Sequence, residues 1–520
     1  MGSQHAVGVY VSLRFLLSRA LVATSLTLLA ALPKPALSAA PPPLPQLTPD
    51  AVTHHSIVLG GRSLAYSARA GTITLRNVDD QPTARIFYTA YTLDGADPVG
   101  RPVTFLYNGG PGSSTMWLRM GSFGPVRVSA GDARTTVGPP YRLLDNNYSL
   151  LDKSDLVFID MPGSGYGRII GAGKPKDFWG VDQDADAFAQ FIQRYLTNFN
   201  RWNSPKFLFG ESYGTTRSAV LSGVLATRGI ALNGIVLLSS FLNPMVDYND
   251  GAPIGGGDWA YVLYLPTETA TAWYHHAIPG APGLSGLLAQ AERFALGEYL
   301  DGLAAGSQLA PDRFNDIVAK LHRYTGLSER YIRNSNMRIS YDRFQNELGR
   351  QRGITVGRLD GRFQTYVLDR PEISPDWDAT DSAIDGAFVA TANDYMRQVL
   401  KYDTPLLYRS QIYDLIYAGD SSWNFKHGND PQTFNVAPDL AQAMTYNPRL
   451  KIFSANGYFD FATPFFATQY VLEHLYIAPA LQKNITYGFY ESGHMVYLHP
   501  DALAKFHADL ERWYAMVLGR

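Results

Sequence analysis

A serine hydroxyl attacks a carbonyl only if a base removes its proton, an acid orients that base, and donors stabilise the oxyanion that forms. This chain carries residues of all these types at spacings that let them meet. Gly210-Glu211-Ser212-Tyr213-Gly214 follows the apolar run Lys206 to Phe209 and precedes a helix-compatible stretch. That order reads as a strand, a sharp turn and a helix with Ser212 at the apex, the glycines allowing close backbone approach. A plain strand-to-helix turn would have the same local pattern, so the assignment depends on what else the chain supplies.

His494, in Glu491-Ser492-Gly493-His494-Met495, stands in a loop after a late apolar run, and Gly493 permits the turn that aims an imidazole back toward the serine. His499 is the nearest rival, but it precedes Pro500 at a helix start and is expected to act as a cap. Asp460 follows the run Lys451 to Ala455 through Asn456-Gly457, with room for one helix and one strand before His494. Its alternative role is to cap the next helix. Asn108-Gly109-Gly110-Pro111-Gly112-Ser113-Ser114 follows the run Val103 to Tyr107 and presents several unhindered amides in series. The N–H groups of Gly110 and Tyr213 would form a two-donor oxyanion hole. As a phosphate loop the segment fails, because no G-K-[ST] follows.

The elements that must position these residues are visible as a rhythm. Alternating residues from Ser56 to about Leu93 suggest antiparallel strands. Val103 to Tyr107, Leu156 to Asp160, Lys206 to Gly210 and Gly234 to Ser239 are short continuous apolar runs, with a helix at Asp182 to Phe199. Such runs alternating with helices predict a mostly parallel sheet buried on both faces. From about 245 to 434 the rhythm stops and helical patches appear at Leu284 to Leu303, Pro311 to His322 and Asp381 to Val399. It resumes with strands at Lys451 to Ala455 and Ile485 to Tyr490, a helix from Thr463 to about His474, and a last helix after Pro500. The fold class is therefore α/β, with core parts at 49–244 and 435–520 and a mainly helical cap insertion at 245–434 between them. Trp259, Tyr261, Tyr264 and Trp273 in the insertion hint at apolar substrates.

Composition narrows the setting. The 520 residues are 46% hydrophobic and 17% charged, which supports a large core rather than disorder. Residues 1–39 place Arg14 and Arg19 ahead of the apolar stretch Ala20 to Leu32 and small residues at Ser38-Ala39, the layout of a signal peptide. A proline-rich linker follows at 40–48. Removing the signal leaves 41 basic against 46 acidic residues, a balance that predicts neither nucleic-acid nor membrane partners. The expectation is an exported protein, periplasmic or secreted. Cysteine is absent, so disulfides and thiolate chemistry are excluded.

Five motifs in order, Asn108 to Ser114, Asp160-Met-Pro-Gly-Ser-Gly-Tyr166, Gly210 to Gly214, Asn456-Gly-Tyr-Phe-Asp460 and Gly493-His-Met495, resemble the serine carboxypeptidase family of α/β-hydrolases. The resemblance covers roughly residues 85–245 and 435–515. It implies hydrolysis of a peptide or protein substrate from the C-terminus without metal or cofactor, with Ser212, Asp460 and His494 as triad and Gly110 and Tyr213 as oxyanion donors. It also implies a clamp on the substrate's terminal carboxylate, built on the Asn108-Gly109 loop and on Glu211 paired with a second acid. Here the chain departs from the family, with Ser122 in Ser122-Phe-Gly-Pro125 where Glu is usual. Glu211 then lacks a carboxyl with which to share a proton, and neither an acidic pH preference nor strict terminal-carboxylate recognition carries over. Arg119, three residues upstream, is a candidate replacement contact for the carboxylate. Esterase or acyltransferase action by the same triad, and a noncatalytic binding protein on the same scaffold, are the alternatives.

Overall fold

The computed structural model describes residues 47–247, 257–417, 422–428 and 434–520. The expected signal peptide and nearly all of the proline-rich linker lie outside these residues. Nine strands build the main sheet: β1 (Ala51–Leu59), β2 (Arg62–Arg76), β3 (Pro82–Leu93), β4 (Val103–Tyr107), β5 (Asp155–Ile159), β6 (Lys206–Glu211), β7 (Gly234–Leu238), β8 (Lys451–Gly457) and β9 (Ile485–Tyr490). Their order across the sheet is β1-β2-β3-β5-β4-β6-β7-β8-β9, and the two-residue strand Arg168–Ile169 pairs with β3 off this path. The first three strands, the β3–β5 pair and the Arg168–Ile169 strand on β3 are antiparallel, and the other pairings are parallel.

Strands β4 to β7 are buried along their whole length, as continuous apolar runs require. Alternation within them feeds two cores. Phe105, Tyr107 and Leu208 face α1 (Val181–Asn198) and α2 (Tyr213–Thr227). Leu106, Phe207 and Phe209 face the other side.

Within the insertion, α3 (Asp258–Tyr274), α4 (Leu284–Phe294) and α5 (Pro311–Thr325) form a third core with Phe459, Phe461 and Phe465. The helix expected over 284–303 is broken by a π turn at Ala295–Tyr299, where Gly297 leaves helical geometry. Helix α3 had no clear sequence signal because Pro266 lies inside it and its faces are nearly uniformly apolar. Tyr261 and Tyr264 are core residues of this layer, so two of the aromatics read as hints of an apolar substrate are packing instead. Helix α6 (Ala379–Asp394) departs from a pure cap: Ala383, Ile384, Ala387 and Phe388 join the second sheet core, beside α8 (Pro500–Leu518). The α/β part also holds the helix Phe465–Glu473, named α7, and the helix Ala437–Tyr446. Among the described residues no helix is long and apolar enough to cross a membrane.

Candidate active site

Ser212 lies between β6 and α2 with φ 61° and ψ −131°, a conformation that a non-glycine residue holds only when its surroundings enforce it. The enforcement is visible on both sides. A Cβ at Gly210 would lie 2.1 Å from Gly214 O, and one at Gly214 would lie 2.8 Å from Tyr107 O, so strand and helix approach closer than side chains allow. Ser212 N–H donates to Leu238 O at the end of β7 (2.9 Å), which fixes the elbow to the neighbouring strand.

The next residue on that strand end holds the histidine. Ser239 Oγ donates to His494 O at 2.7 Å, so Ser212 and His494 are anchored at consecutive positions, Leu238 and Ser239. His494 Nδ1 stands 2.9 Å from Asp460 Oδ2. A carboxylate there accepts from Nδ1–H, leaving Nε2 as the free acceptor of the ring. Asp460 also accepts from Ala462 N (2.8 Å), Thr463 N (3.0 Å) and Thr463 Oγ1 (2.6 Å). It therefore shapes the turn before α7 and contacts the imidazole at once, whereas the N-cap of α7 is Pro464, so Asp460 is not the helix cap that the sequence offered as its alternative role. His499 faces elsewhere, its Nδ1 on Glu491 O and its Nε2 3.6 Å from Asp132. Burial opposes charge on the His494 ring, but the Asp460 charge and hydrogen bond and the Glu211 charge outweigh it, and the pKa is raised above the ordinary 6.5.

The Asn108–Ser114 loop leans on the elbow. A Cβ at Gly109 would be 2.4 Å from Tyr213 N, so the loop backbone lies directly against the start of α2. Tyr213 N–H, at the first helical position, has no acceptor within its own helix. The Tyr213 ring points away into the core against Trp423, 5.3 Å between centroids. Three further groups secure the loop. Thr115 N–H donates to Asp160 Oδ1 at 2.7 Å, Gly112 N–H to Met161 Sδ at 3.0 Å, and Arg217 Nη1 to Asn108 O at 2.8 Å. Arg217 is paired with Asp184 at 2.6 Å, both side chains fully buried, and lies over the Phe188 ring at 4.1 Å. The Asp160-Met161 motif thus supports the loop, while Arg217 and Asp184 drew no attention in the sequence because nothing local marks them. Among the described residues no group of three or more His, Cys, Asp or Glu side chains could hold a metal ion.

This arrangement has relatives. Residues 64–274 match the profile of the serine carboxypeptidase family. Carboxypeptidase Y of Saccharomyces cerevisiae is 23% identical over 209 residues, 38% of this chain and 35% of that protein. The serine carboxypeptidase ctsa-3.2 of Caenorhabditis elegans is 25% identical over 186 residues, 33% of this chain and 34% of its own. Over residues 64–274 the chain is similar to the serine carboxypeptidases. It aligns with roughly a third of the length of these curated relatives. The solved structure of Kex1Δp, a prohormone-processing carboxypeptidase of Saccharomyces cerevisiae, matches over 87% of this chain and 90% of its own. At 16% identity and a TM-score of 0.53 that match shows the α/β-hydrolase fold.

Where the chain departs from the serine carboxypeptidase pattern, the structure supplies its own solution. Ser122 is buried and donates to Leu118 O at 2.5 Å, within its own π turn (Arg119–Phe123). The partner of Glu211 is instead Tyr497, whose hydroxyl stands 3.1 and 3.0 Å from the two carboxylate oxygens. Asn108 Oδ1 accepts from Leu118 N–H at 2.9 Å, which turns its amide NH2 toward Glu211 and Tyr497. Burial pushes the Glu211 pKa up to about 7, against the opposing pull of the His494 charge and the hydrogen bonds from Tyr497 and Asn108. Glu211 lacks the second acid, as the sequence implies, yet desolvation raises its pKa without a carboxyl partner.

Arg119 is corrected as well. It is only 3% exposed, with Nη1 donating to Thr89 Oγ1 at 2.9 Å and contacting Met396 Sδ at 3.5 Å. Its charge sits among Tyr408, Tyr91, Asp160 and Tyr395 in the second sheet core, not beside Glu211. Arg119 opens the π turn Arg119–Phe123, and its side chain reaches β3 at Thr89. Tyr497 lies in a short 3-10 turn three residues after His494, and sequence reasoning missed it, since nearness to the histidine is its one local mark.

Proposed function

We propose that this chain is an exported serine carboxypeptidase that cleaves peptides through an acyl-enzyme on Ser212. The observation that carries the proposal is the 2.9 Å His494–Asp460 bond held at the strand end that also anchors the strained Ser212 elbow. With Nδ1 committed to Asp460, His494 Nε2 takes the Ser212 proton as Oγ attacks the scissile carbonyl, then returns it to the leaving amine. The oxyanion is received by Tyr213 N–H and by Gly110 N–H of the loop that packs on the elbow. Water, activated by the same imidazole, releases the acyl group. Glu211, Asn108 and Tyr497 form a buried polar group beside His494 suited to a terminal carboxylate. Protonated Glu211 donates to it, as does the Asn108 amide. Export is supported by the layout of residues 1–39.

The test is covalent labelling by a fluorophosphonate, combined with mass analysis of products from peptides with free and amidated C-termini. Wild-type protein should take one label and shorten the free peptide from its C-terminus. Ser212→Ala should take none and fall toward the roughly 10³- to 10⁴-fold residual catalysis that oxyanion donors and binding alone provide. Labelling retained in Ser212→Ala, or no preference for the free C-terminus, would overturn the nucleophile or the carboxypeptidase assignment respectively.

A further inference from the structure

The segment Arg358–Phe363 belongs to the insertion, yet it hydrogen-bonds the two loops that carry Asp460 and His494. Phe461 N–H donates to Arg358 O at 3.0 Å and Gly361 N–H to Phe459 O at 2.8 Å, so the residues on both sides of Asp460 are tied to it. His494 N–H donates to Leu359 O at 2.6 Å, and Gly493 N–H donates to Asp360 Oδ2 at 3.1 Å. One short stretch of insertion backbone therefore grips both partners of the Asp460–His494 bond.

The side chains in this stretch are built for the purpose. Asp360 is completely buried, and besides Gly493 it accepts from Arg362 N (3.0 Å), Nε (3.0 Å) and Nη2 (2.6 Å). Arg362, 3% exposed, reaches on to Ser492 Oγ at 3.3 Å and Asp132 Oδ1 at 3.0 Å. Asp360 and Arg362 together thus contact both residues that precede His494. There is no room for an alternative: a Cβ at Gly493 would stand 2.4 Å from both Asp360 Cβ and Leu359 O. A buried ion pair adds little net stability over an apolar pair of the same volume, so stability alone is a poor reason to keep one here.

We infer that Asp360 and Arg362 are positioning residues that hold the His494 loop in register with Asp460 and Ser212, an inference that rests on His494 being the base. The α/β core brings strand ends together, and Asp460 and His494 lie three and four residues beyond them. The insertion supplies the second anchor that fixes the imidazole, and so takes part in the chemistry by geometry rather than by touching substrate.

The experiment compares wild type, Asp360→Ala, Asp360→Asn and a control, Ile317→Ala, which removes apolar contact in the third core and takes part in none of the hydrogen bonds named above. For each, the second-order fluorophosphonate labelling rate, kcat and KM on a free-C-terminus peptide, and the thermal midpoint are measured. Asp360→Ala should label about a hundredfold more slowly and lose kcat in proportion at nearly unchanged KM, since a displacement near 1 Å costs about that much. Asp360→Asn keeps an acceptor for Gly493 but no countercharge for Arg362, and should lose about tenfold, a partial rescue. Ile317→Ala should lower the thermal midpoint and leave the labelling rate alone. The inference is overturned if folded Asp360→Ala labels at the wild-type rate, or if Ile317→Ala loses as much rate for the same drop in midpoint. Should Asp360→Ala not fold, a wild-type labelling rate in Asp360→Asn overturns it equally. Wild-type protein that takes no label refutes the Ser212 assignment itself, and this inference with it, whereas a labelled wild type with an equally labelled variant refutes only the positioning role.

Discussion

Tyr497→Phe removes one oxygen atom, and its consequence can be worked from the geometry. The hydroxyl lies 3.1 and 3.0 Å from the Glu211 carboxylate oxygens, and both residues are buried. Hydrogen bonds to a buried charged group are worth about 1.5–3 kcal/mol. At about 1.4 kcal/mol per pKa unit, losing this one should raise Glu211 from about 7 to about 8–9. If protonated Glu211 donates to the substrate's terminal carboxylate, wild-type kcat/KM on free-C-terminus peptides falls as pH rises through about 7. In Tyr497→Phe that alkaline limb should move up by about one to two units. Amidated peptides present no carboxylate, so their alkaline limb should not move. The acid limb reports His494, which must be neutral to act as base, so it should lie above 6.5 in the wild type. It should not rise in the variant, because a more protonated Glu211 supports the imidazolium less. If the hydroxyl also touches substrate, KM rises by a pH-independent factor, which the profile separates from the shift. The assay is kcat/KM from about pH 5 to 10, the range that brackets these titrations, on matched free and amidated peptides. An unmoved alkaline limb, or equal movement for both substrates, would refute the role assigned to Glu211.

His494→Ala should be about as damaging to labelling and turnover as Ser212→Ala, while Asp460→Asn should cost less, because Asp460 orients the base without exchanging the proton. Loss in His499→Ala with activity kept in His494→Ala would reassign the base. Glu211→Gln should change stability in a pH-dependent way. The folded-state pKa of about 7 lies above the ordinary 4.5, so wild-type stability declines as pH rises between those values and levels off above them. The glutamine protein lacks this decline and should gain up to about 3 kcal/mol relative to wild type at pH 8 and almost nothing at pH 4. Chemical denaturation at the two pH values checks this, and an equal difference at both would show that Glu211 is not buried as a neutral acid.

The residues that carry the proposed chemistry were legible because their signals are local. A strand buried on both faces needs a continuous apolar run, an elbow needs glycines beside its apex, and an oxyanion loop needs amides without side chains, so Ser212, Gly110 and the strands behind them declare themselves within a few positions. His494 and Asp460 follow from the order of such elements, and β4, β6, β7 and β9 lie within a residue of where the apolar runs put them. Helix α3 escaped because a proline and an apolar surface all round erase the periodic signal. What tertiary structure alone decided is how each polar group is paired and how far it is removed from water. Arg119 reads as a candidate contact for the substrate carboxylate until packing buries it against Thr89. Glu211 reads as half of an incomplete acid pair until Tyr497, 286 positions away, closes on it and burial raises its pKa. Asp360 has no local mark at all, and its contact with Gly493 spans 133 positions. Backbone conformation is set by neighbours along the chain, whereas proton affinity and side-chain orientation depend on distance and desolvation, which exist only once remote segments have packed.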